Sequence, residues 1–323
     1  IGPRTSPGPD RPVIVIREPL VEVFFQQIIN GLTLGSIYAL IALGSTMVYG
    51  IIQLINFAHG EIYAEGGYIG GIVLSFKQAR GVIDTHPFLG LLLAFVLAMI
   101  YCAFLAVALE TVAYRPLRGA SRLALLLSAL GMSIFLSNGM MLAQGVYDKA
   151  YPHFFTSGGF EVGGVIVTNM QVFIIIGSVL LMISLNLFVN RTRLGKAMRS
   201  TAQDRVMSAI LGINANKTIV TTFVIGAVLA AAAGVMVGLY YGSVRFDMGF
   251  IPGIKAFSAA VLGGIGNLTG AMLGGMIIGM VEIFAAGYLA SEYKDVFAFI
   301  ILILVLYFRP TGIMGEQVDD TRV

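Results

Sequence analysis

The chain has 323 residues, of which 57% are hydrophobic and only 11% charged, against about a quarter charged in a soluble globular domain. With a mean hydropathy of +0.89 and a formal net charge of only +3, the composition excludes a soluble domain and points to no nucleic-acid partner. Its single cysteine, Cys102, excludes an intramolecular disulfide and a cysteine-based metal site, and reads as a small apolar packing residue.

Residues 1–23 mix Gly, Pro and Arg without an apolar core adequate for a cleavable signal peptide, and are expected to lie outside the fold as an extension. Residues 24–315 are then the membrane domain and 316–323 a cytoplasmic tail. Within that domain apolar segments fall at 24–50, 59–77, 88–113, 122–144, 170–190, 218–242, 254–267, 269–290 and 296–309. Because about 20 helical residues cross the roughly 30 Å hydrocarbon layer, they predict an all-α, polytopic transmembrane bundle of about eight or nine passages, some of them broken. The short alternating segments of a membrane β-barrel are missing. Forty glycines suit membrane helices, where small residues let backbones approach.

The stretch "LINFAHGEIYAEGGYIGG" (Leu54 to Gly71) places an amide, an imidazole and two carboxylates inside this apolar context. A helix is expected to break between Asn56 and Gly60. The next helix then starts near Glu61, whose charge favours a helix N-terminus. His59 and Glu61, two residues apart, point in different directions on a helix, which argues against a shared metal site. Two readings stand side by side: Asn56, His59 and Glu61 cap two half-helices, or they line a translocation pathway.

"YRPLRGASR" (Tyr114 to Arg122) and the segment Arg191 to Lys217 are strongly basic, which puts both on the cytoplasmic side. Between them, Gly145 to Asn169 reads as an external loop. Continued forward, the alternation places Ser291 to Asp295 outside and the tail after Arg309 inside, provided 254–267 is a short, broken crossing. Within Gly195 to Thr218, Ala202, Val206, Ala209 and Ile210 are expected on one face of a short helix ending at Gly212, where glycine takes up a left-handed stop. That face suits docking into a groove on another protein, or lying on the membrane lipid.

Lys255 is close enough to a span end to be expected to snorkel, whereas Glu282 lies deeper and reads as paired with a Tyr or Ser of a neighbouring helix. "LGGIGN" (Leu262 to Asn267), with Gly264 and Asn267, lacks the Lys-Ser/Thr of a nucleotide loop, so no ATP site and no other cofactor is expected in this chain. Nor does any motif support an enzyme. The stretch does echo the first half: each half has a Gly- and Asn-containing break followed by a glycine-dense helix, with Gly67 and Gly71 in one and Gly270 and Gly274 in the other. Paired broken helices in two halves mark transport pathways, which adds Gly264, Asn267 and Glu282 to the pathway candidates.

Six further stretches carry a family resemblance. "NGLTLGSIYALIALGSTMVYGIIQLINFAHGE" (Asn30 to Glu61), "AYRPLR" (Ala113 to Arg118), "SALGMSIFLSN" (Ser128 to Asn138), "LGINANKTIVTTFVIGAVLAAAAGV" (Leu211 to Val235), "KAFSAAVLGGIGNLTGAMLGG" (Lys255 to Gly275) and "RPTGIMG" (Arg309 to Gly315) occur in one order. Together they resemble the LivH-type permease subunit of bacterial branched-chain amino acid ABC importers. The resemblance implies an inner-membrane subunit that works with a second homologous, LivM-like permease, two cytoplasmic LivG/LivF-like ATPases carrying ATP and Mg, and a periplasmic substrate-binding protein. It also implies that the loop from Arg199 to Asn214, with Asp204, Arg205, Val206, Ala209, Ile210 and Gly212, is the coupling helix to the ATPases. The general coupling signature there is Glu-Ala-Ala followed three residues later by Gly. Here Val206, Met207 and Ser208 precede Gly212, so the acidic residue is missing. A urea- or short-amide permease of the same architecture is the alternative in the same class. A stand-alone secondary transporter or channel is the alternative outside it, and would use Glu61 and Glu282 for ion coupling.

Overall fold

The computed structural model describes residues 20–53, 56–79, 87–152 and 158–315. Four helices form the first half: α1 (Leu20–Ile52), α2 (Ala58–Ala79), α3 (Pro87–Leu109) and α4 (Arg122–Gln144). α5 (Asn169–Arg191) leads into two short cytoplasmic helices, α6 (Arg193–Gln203) and α7 (Arg205–Ile210). α8 (Ala215–Tyr241), α9 (Phe250–Gly263), α10 (Leu268–Tyr288) and α11 (Lys294–Phe308) complete the bundle. Among the described residues six helices are long and apolar enough to cross a membrane: α1, α3, α4, α5, α8 and α10. α9 and α11, with 14 and 15 residues, reach only about 21–23 Å at about 1.5 Å per residue. The short crossing expected at 254–267 is therefore matched by a second one at the end of the chain.

Several helix starts are written locally. Ser121 caps α4 at the Ala124 N–H (3.3 Å), and Thr168 with Gln171 forms a capping box on α5. Asn214 caps α8 at the Lys217 N–H (3.1 Å), and Gly242 ends α8 at φ +70°. Such caps supply acceptors for first-turn N–H groups that have no partner within the helix. α1 begins at Leu20, so residues 20–23 belong to the bundle rather than to the extension; residues 1–19 and the tail 316–323 lie outside the described residues. The apolar run expected to end at 113 departs from α geometry earlier. A π-turn over Glu110–Tyr114 is followed by a 3-10 turn over Arg115–Leu117, where Pro116 interrupts the N–H ladder.

α8 is the hub, buried along most of its length and packed on α1, α2, α3 and α5; α1 makes its most extensive contact with α10. Both halves of the glycine echo lie at close crossings. A Cβ at Gly66 of α2 would sit 2.5 Å from Ala231 Cα of α8, and one at Gly275 of α10 would sit 2.5 Å from Ala39 Cα of α1. Glycine is required there because the two backbones approach within what any side chain would fill.

The cytoplasmic ends gather as the charge pattern predicts: Arg118 reaches Asn216 (2.5 Å) and Arg205 reaches the Ile51 carbonyl. At the opposite end, β1 (Lys149–Ala150) pairs antiparallel with β4 (Ser243–Val244), and β2 (Gly159–Val162) forms a hairpin with β3 (Val165–Thr168). The external segment 145–169 is thus partly ordered strand rather than plain loop, its described hairpin turning on Gly163 and Gly164 at φ +60° and +84°.

Candidate functional site

The break before α2 comes earlier than the sequence suggests. α1 ends at Ile52, and Gln53, at φ +56°, is the one non-glycine residue with left-handed backbone among the described residues. Leu54 and Ile55 lie outside the described residues. α2 starts at Ala58, so Gly60 sits inside the helix. Its missing side chain lets α9 cross closely, since a Cβ would come 2.9 Å from Gly253 Cα. Asn56 anchors the turn: its Oδ1 accepts from the Tyr114 hydroxyl (2.6 Å) and its carbonyl from the His59 N–H (3.1 Å). His59 is buried against Gly44 of α1, which also meets the Gly226 carbonyl of α8. Glu61 occupies the first turn of α2, as expected, yet its carboxylate is buried and accepts from the Ser133 hydroxyl of α4 (3.0 Å). One turn on, buried Glu65 accepts from the Tyr101 hydroxyl of α3 (3.3 Å).

Glu282 stands elsewhere, in the last third of α10. It accepts from the Tyr38 hydroxyl (2.9 Å), a tyrosine partner of the kind expected, but its main partner is Lys255 of α9 at 2.7 Å. Lys255 does not snorkel. Its side chain is 3% exposed and is held between buried Glu282 and half-exposed Asp295 (2.5 Å), because two carboxylates offset the cost of burying its charge. Four helices, α1, α9, α10 and α11, meet on this one group.

Gly264 and Asn267 form the α9–α10 turn at the cytoplasmic end. Gly264 (φ +108°) and Gly266 (φ +87°) reverse the chain, and Asn267 caps α10 at the Gly270 N–H (2.9 Å). The same asparagine donates to the Met314 carbonyl (2.8 Å), while the Ile313 and Met314 N–H groups bond the Leu262 and Gly263 carbonyls (2.9 Å each). "RPTGIMG" is therefore a strap that closes the turn. The six pathway candidates thus fall in three places: Asn56, His59 and Glu61 at the start of α2, Gly264 and Asn267 at the cytoplasmic turn, and Glu282 in the Lys255 cluster.

The expected single helix at 199–212 is two. Asp204 ends α6 and caps α7, accepting from the Val206 and Met207 N–H groups (2.8 and 3.0 Å). Ala202 consequently stays on α6, away from Val206, Ala209 and Ile210. Ser200 and Ser208 hydroxyls join the two helices (2.9 Å). Ser208 is the buried side of α7. On the other side Val206, Met207, Ile210 and Leu211 are 71%, 59%, 74% and 75% exposed, a contiguous apolar face at the cytoplasmic end of the molecule. Gly212 stops the helix at φ +81°, as expected, and Asn214 starts α8. Arg205 ties this unit to the bundle by donating to the last-turn carbonyl of Ile51, and Arg199 bonds Asn190 at the end of α5 (3.2 Å).

The model of the family described as "Branched-chain amino acid transport system / permease component" matches residues 27–306, that is, every crossing helix. This chain belongs to that family. Among its relatives, the high-affinity branched-chain amino acid transport system permease protein BraD of Pseudomonas aeruginosa is 50% identical over 92% of this chain and 98% of its own. The corresponding LivH protein of Escherichia coli is 48% identical over 91% and 96%. A probable LivH protein of Methanocaldococcus jannaschii is 28% identical over 87% and 89%. No solved structure matched the chain. The chain is accordingly a permease subunit, a component of a transport system rather than an enzyme, and a multi-pass inner-membrane protein.

One anchor of this permease is not marked by any motif read from the sequence. Glu110, fully buried in the π-turn, pairs with Arg115 (3.0 Å) and with Arg118, which in turn holds Asn216 at the start of α8. Burial lowers the Arg118 pKa from its ordinary value, with Glu110 pulling the other way. The available signal was a lone Glu at the end of an apolar run with arginines five and eight residues on.

Proposed function

We propose that this chain is the permease through which an ATP-binding-cassette importer moves branched-chain, hydrophobic amino acids into the cytoplasm. It works beside a second homologous permease and receives cargo from a periplasmic binding protein. ATP and Mg belong to two partner ATPases, and this chain contributes no cofactor site. The observation that carries the reading is the exposed apolar face of α7 on a chain of this family. Four large apolar side chains at a cytoplasmic helix are costly to leave in water and match a groove on a soluble partner. α7 is also braced to α1 through Arg205 and to α6 through Ser208, so a push on it moves the bundle rather than a loose loop. The absent signature acid leaves apolar contact, rather than an ion pair, as the main term at this surface.

Closure of the ATPases draws α7 toward its counterpart on the second permease, and the helices tied to it rock between outward and inward openings. Purifying the chain with its co-expressed neighbours tests the reading. The ATPases are expected to accompany wild type and to be lost from a Val206→Asp, Ile210→Asp double variant that still inserts. ATPase recovery unchanged in that variant refutes the docking face. Uptake of leucine at full rate by the chain without ATPases refutes the importer reading itself.

A further inference from the structure

Among the described residues the buried charged side chains are Glu61, Glu65, Glu110, Lys255 and Glu282. Three are neutralised within the chain, Glu110 by Arg115 and Arg118, and Lys255 and Glu282 by each other. Glu61 and Glu65 are not. Neither forms an ion pair among the described residues, and their side-chain partners are neutral hydroxyls, Ser133 of α4 and Tyr101 of α3. Hydroxyls serve a carboxylate's hydrogen bonding but leave its charge uncompensated, which is costly inside a membrane protein. Such groups mark the route of a substrate or ion. Their placement fits a route. Glu61 and Glu65 lie one turn apart on α2 and share a face with Tyr68. Ser133 stands about 16 Å up α4 from its cytoplasmic start, near the middle of a hydrocarbon layer of roughly 30 Å. Short α9 begins at the same depth, since a Cβ on Gly249 would sit 2.6 Å from Glu61 Oε2. A second, independent feature is the Tyr68 hydroxyl. Tyr68 is 1% exposed, and its hydroxyl has no hydrogen-bond partner. Its charged neighbours are Glu65 on the inner side and, toward the outside, Asp148, Asp247 and Arg245, the last two paired. An unsatisfied buried hydroxyl costs free energy that a passing polar group recovers. α4 closes over the pair, and it is the wall most able to part. It packs chiefly on α2 and the π-turn, and a Cβ at Gly131 or Gly139 would meet nothing within 4 Å.

We propose that Glu61 and Glu65 receive the α-ammonium group of the cargo midway across the membrane, when α4 draws away from α2 and the Ser133 hydroxyl leaves Glu61. The inference rests on the substrate reading above. The ammonium brings the positive charge that this chain withholds from the pair, and its three donors replace those of Ser133 and Tyr101. The Tyr68 oxygen accepts from it on the way in.

The test uses the whole transporter, with its ATPases and binding protein, reconstituted in vesicles. Dicyclohexylcarbodiimide, an apolar reagent for buried carboxyl groups, is added during ATP-driven turnover, and its adducts are mapped by mass spectrometry. Adducts are expected on Glu61 and Glu65. Leucine is expected to slow them about tenfold or more, the worth of a hydrogen bond to a charged group. So is 3-methylbutylamine, which keeps the ammonium and lacks the carboxylate. 4-Methylpentanoate, which keeps the carboxylate and lacks the ammonium, is expected to leave labelling unchanged. In the uptake arm, Glu65→Gln, which keeps shape and hydrogen bonding but removes the charge, is expected to lower leucine import about tenfold with Cys102 still protected from alkylation. Glu65→Asp is expected to restore part of the import. Four results overturn the site: no adduct on either residue, labelling slowed equally by 4-methylpentanoate, labelling slowed by sodium ion alone, or import undiminished in both Glu65→Gln and Glu61→Gln. If the amine protects as expected but wild type imports no leucine, the substrate reading fails and the site stands.

Discussion

Removing Lys255 is expected to cost far more than removing Glu282, although the two form one ion pair. In Lys255→Met, two carboxylates lose their shared counter-charge. Glu282, 3% exposed, keeps only the Tyr38 hydroxyl and Lys294 at 3.8 Å, and Asp295 faces it unpaired. An uncompensated buried charge costs about 3–5 kcal/mol, roughly a hundredfold or more in the unfolding equilibrium. In Glu282→Gln the ammonium keeps Asp295 at 2.5 Å and the Tyr38 ring at 5.6 Å. The cost there should be about 1–2 kcal/mol, since a charge-assisted hydrogen bond is lost but no charge is orphaned. The double variant should recover part of the Lys255→Met loss, because Asp295, 39% exposed, then meets water instead of a buried partner. Cys102 supplies the assay: it is the only cysteine and fully buried, so its alkylation rate in detergent under increasing denaturant reports opening of the bundle. Equal losses in the two single variants, or a double variant worse than Lys255→Met, would refute the reasoning that the lysine charge organises this cluster.

The close helix crossings make a second prediction. Gly66→Val is expected to lower the folded yield sharply, since even a Cβ meets Ala231 at 2.5 Å, whereas Gly139→Ala on α4, with nothing within 4 Å, should be neutral or stabilising by up to about 1 kcal/mol; Cys102 protection reads both. Gly212→Ala should cost about 1 kcal/mol at φ +81° and reduce ATPase recovery with the purified complex. Arg205→Ala removes the donor to the Ile51 carbonyl. It should retain bound, hydrolysing ATPases yet lower uptake per ATP, and unchanged uptake per ATP would show that α7 passes its motion by another route.

Much of this architecture is legible in the residues because the membrane makes the code coarse. Apolar length gives the helices, and arginines at 115, 118, 191, 193 and 199 give the sides. Gly212 and Asn214 mark the end of one helix and the start of the next, and Glu61 lies in a first turn as its charge suggests. What is not legible depends on what lies across from a residue. Lys255 looks like a group free to reach the interface until Glu282 and Asp295, 27 and 40 positions away in sequence, are seen beside it. Asp204 reads as one acid in a basic loop, yet as a cap it splits the expected helix and turns Met207 and Leu211 to the outside. The α2 start is similar: Gly60 looks like a helix breaker and is instead a crossing point, because Gly253 arrives from the other half of the chain.

The central claim is that partner ATPases drive this permease through α7. Its most direct test is concentrative leucine uptake into vesicles holding the complete complex, with Val206→Asp, Ile210→Asp set beside wild type. The account predicts ATP-dependent accumulation for wild type and none for the variant, with the variant's Cys102 protection intact. Accumulation that persists in the variant, or in wild type stripped of its ATPases, would contradict it.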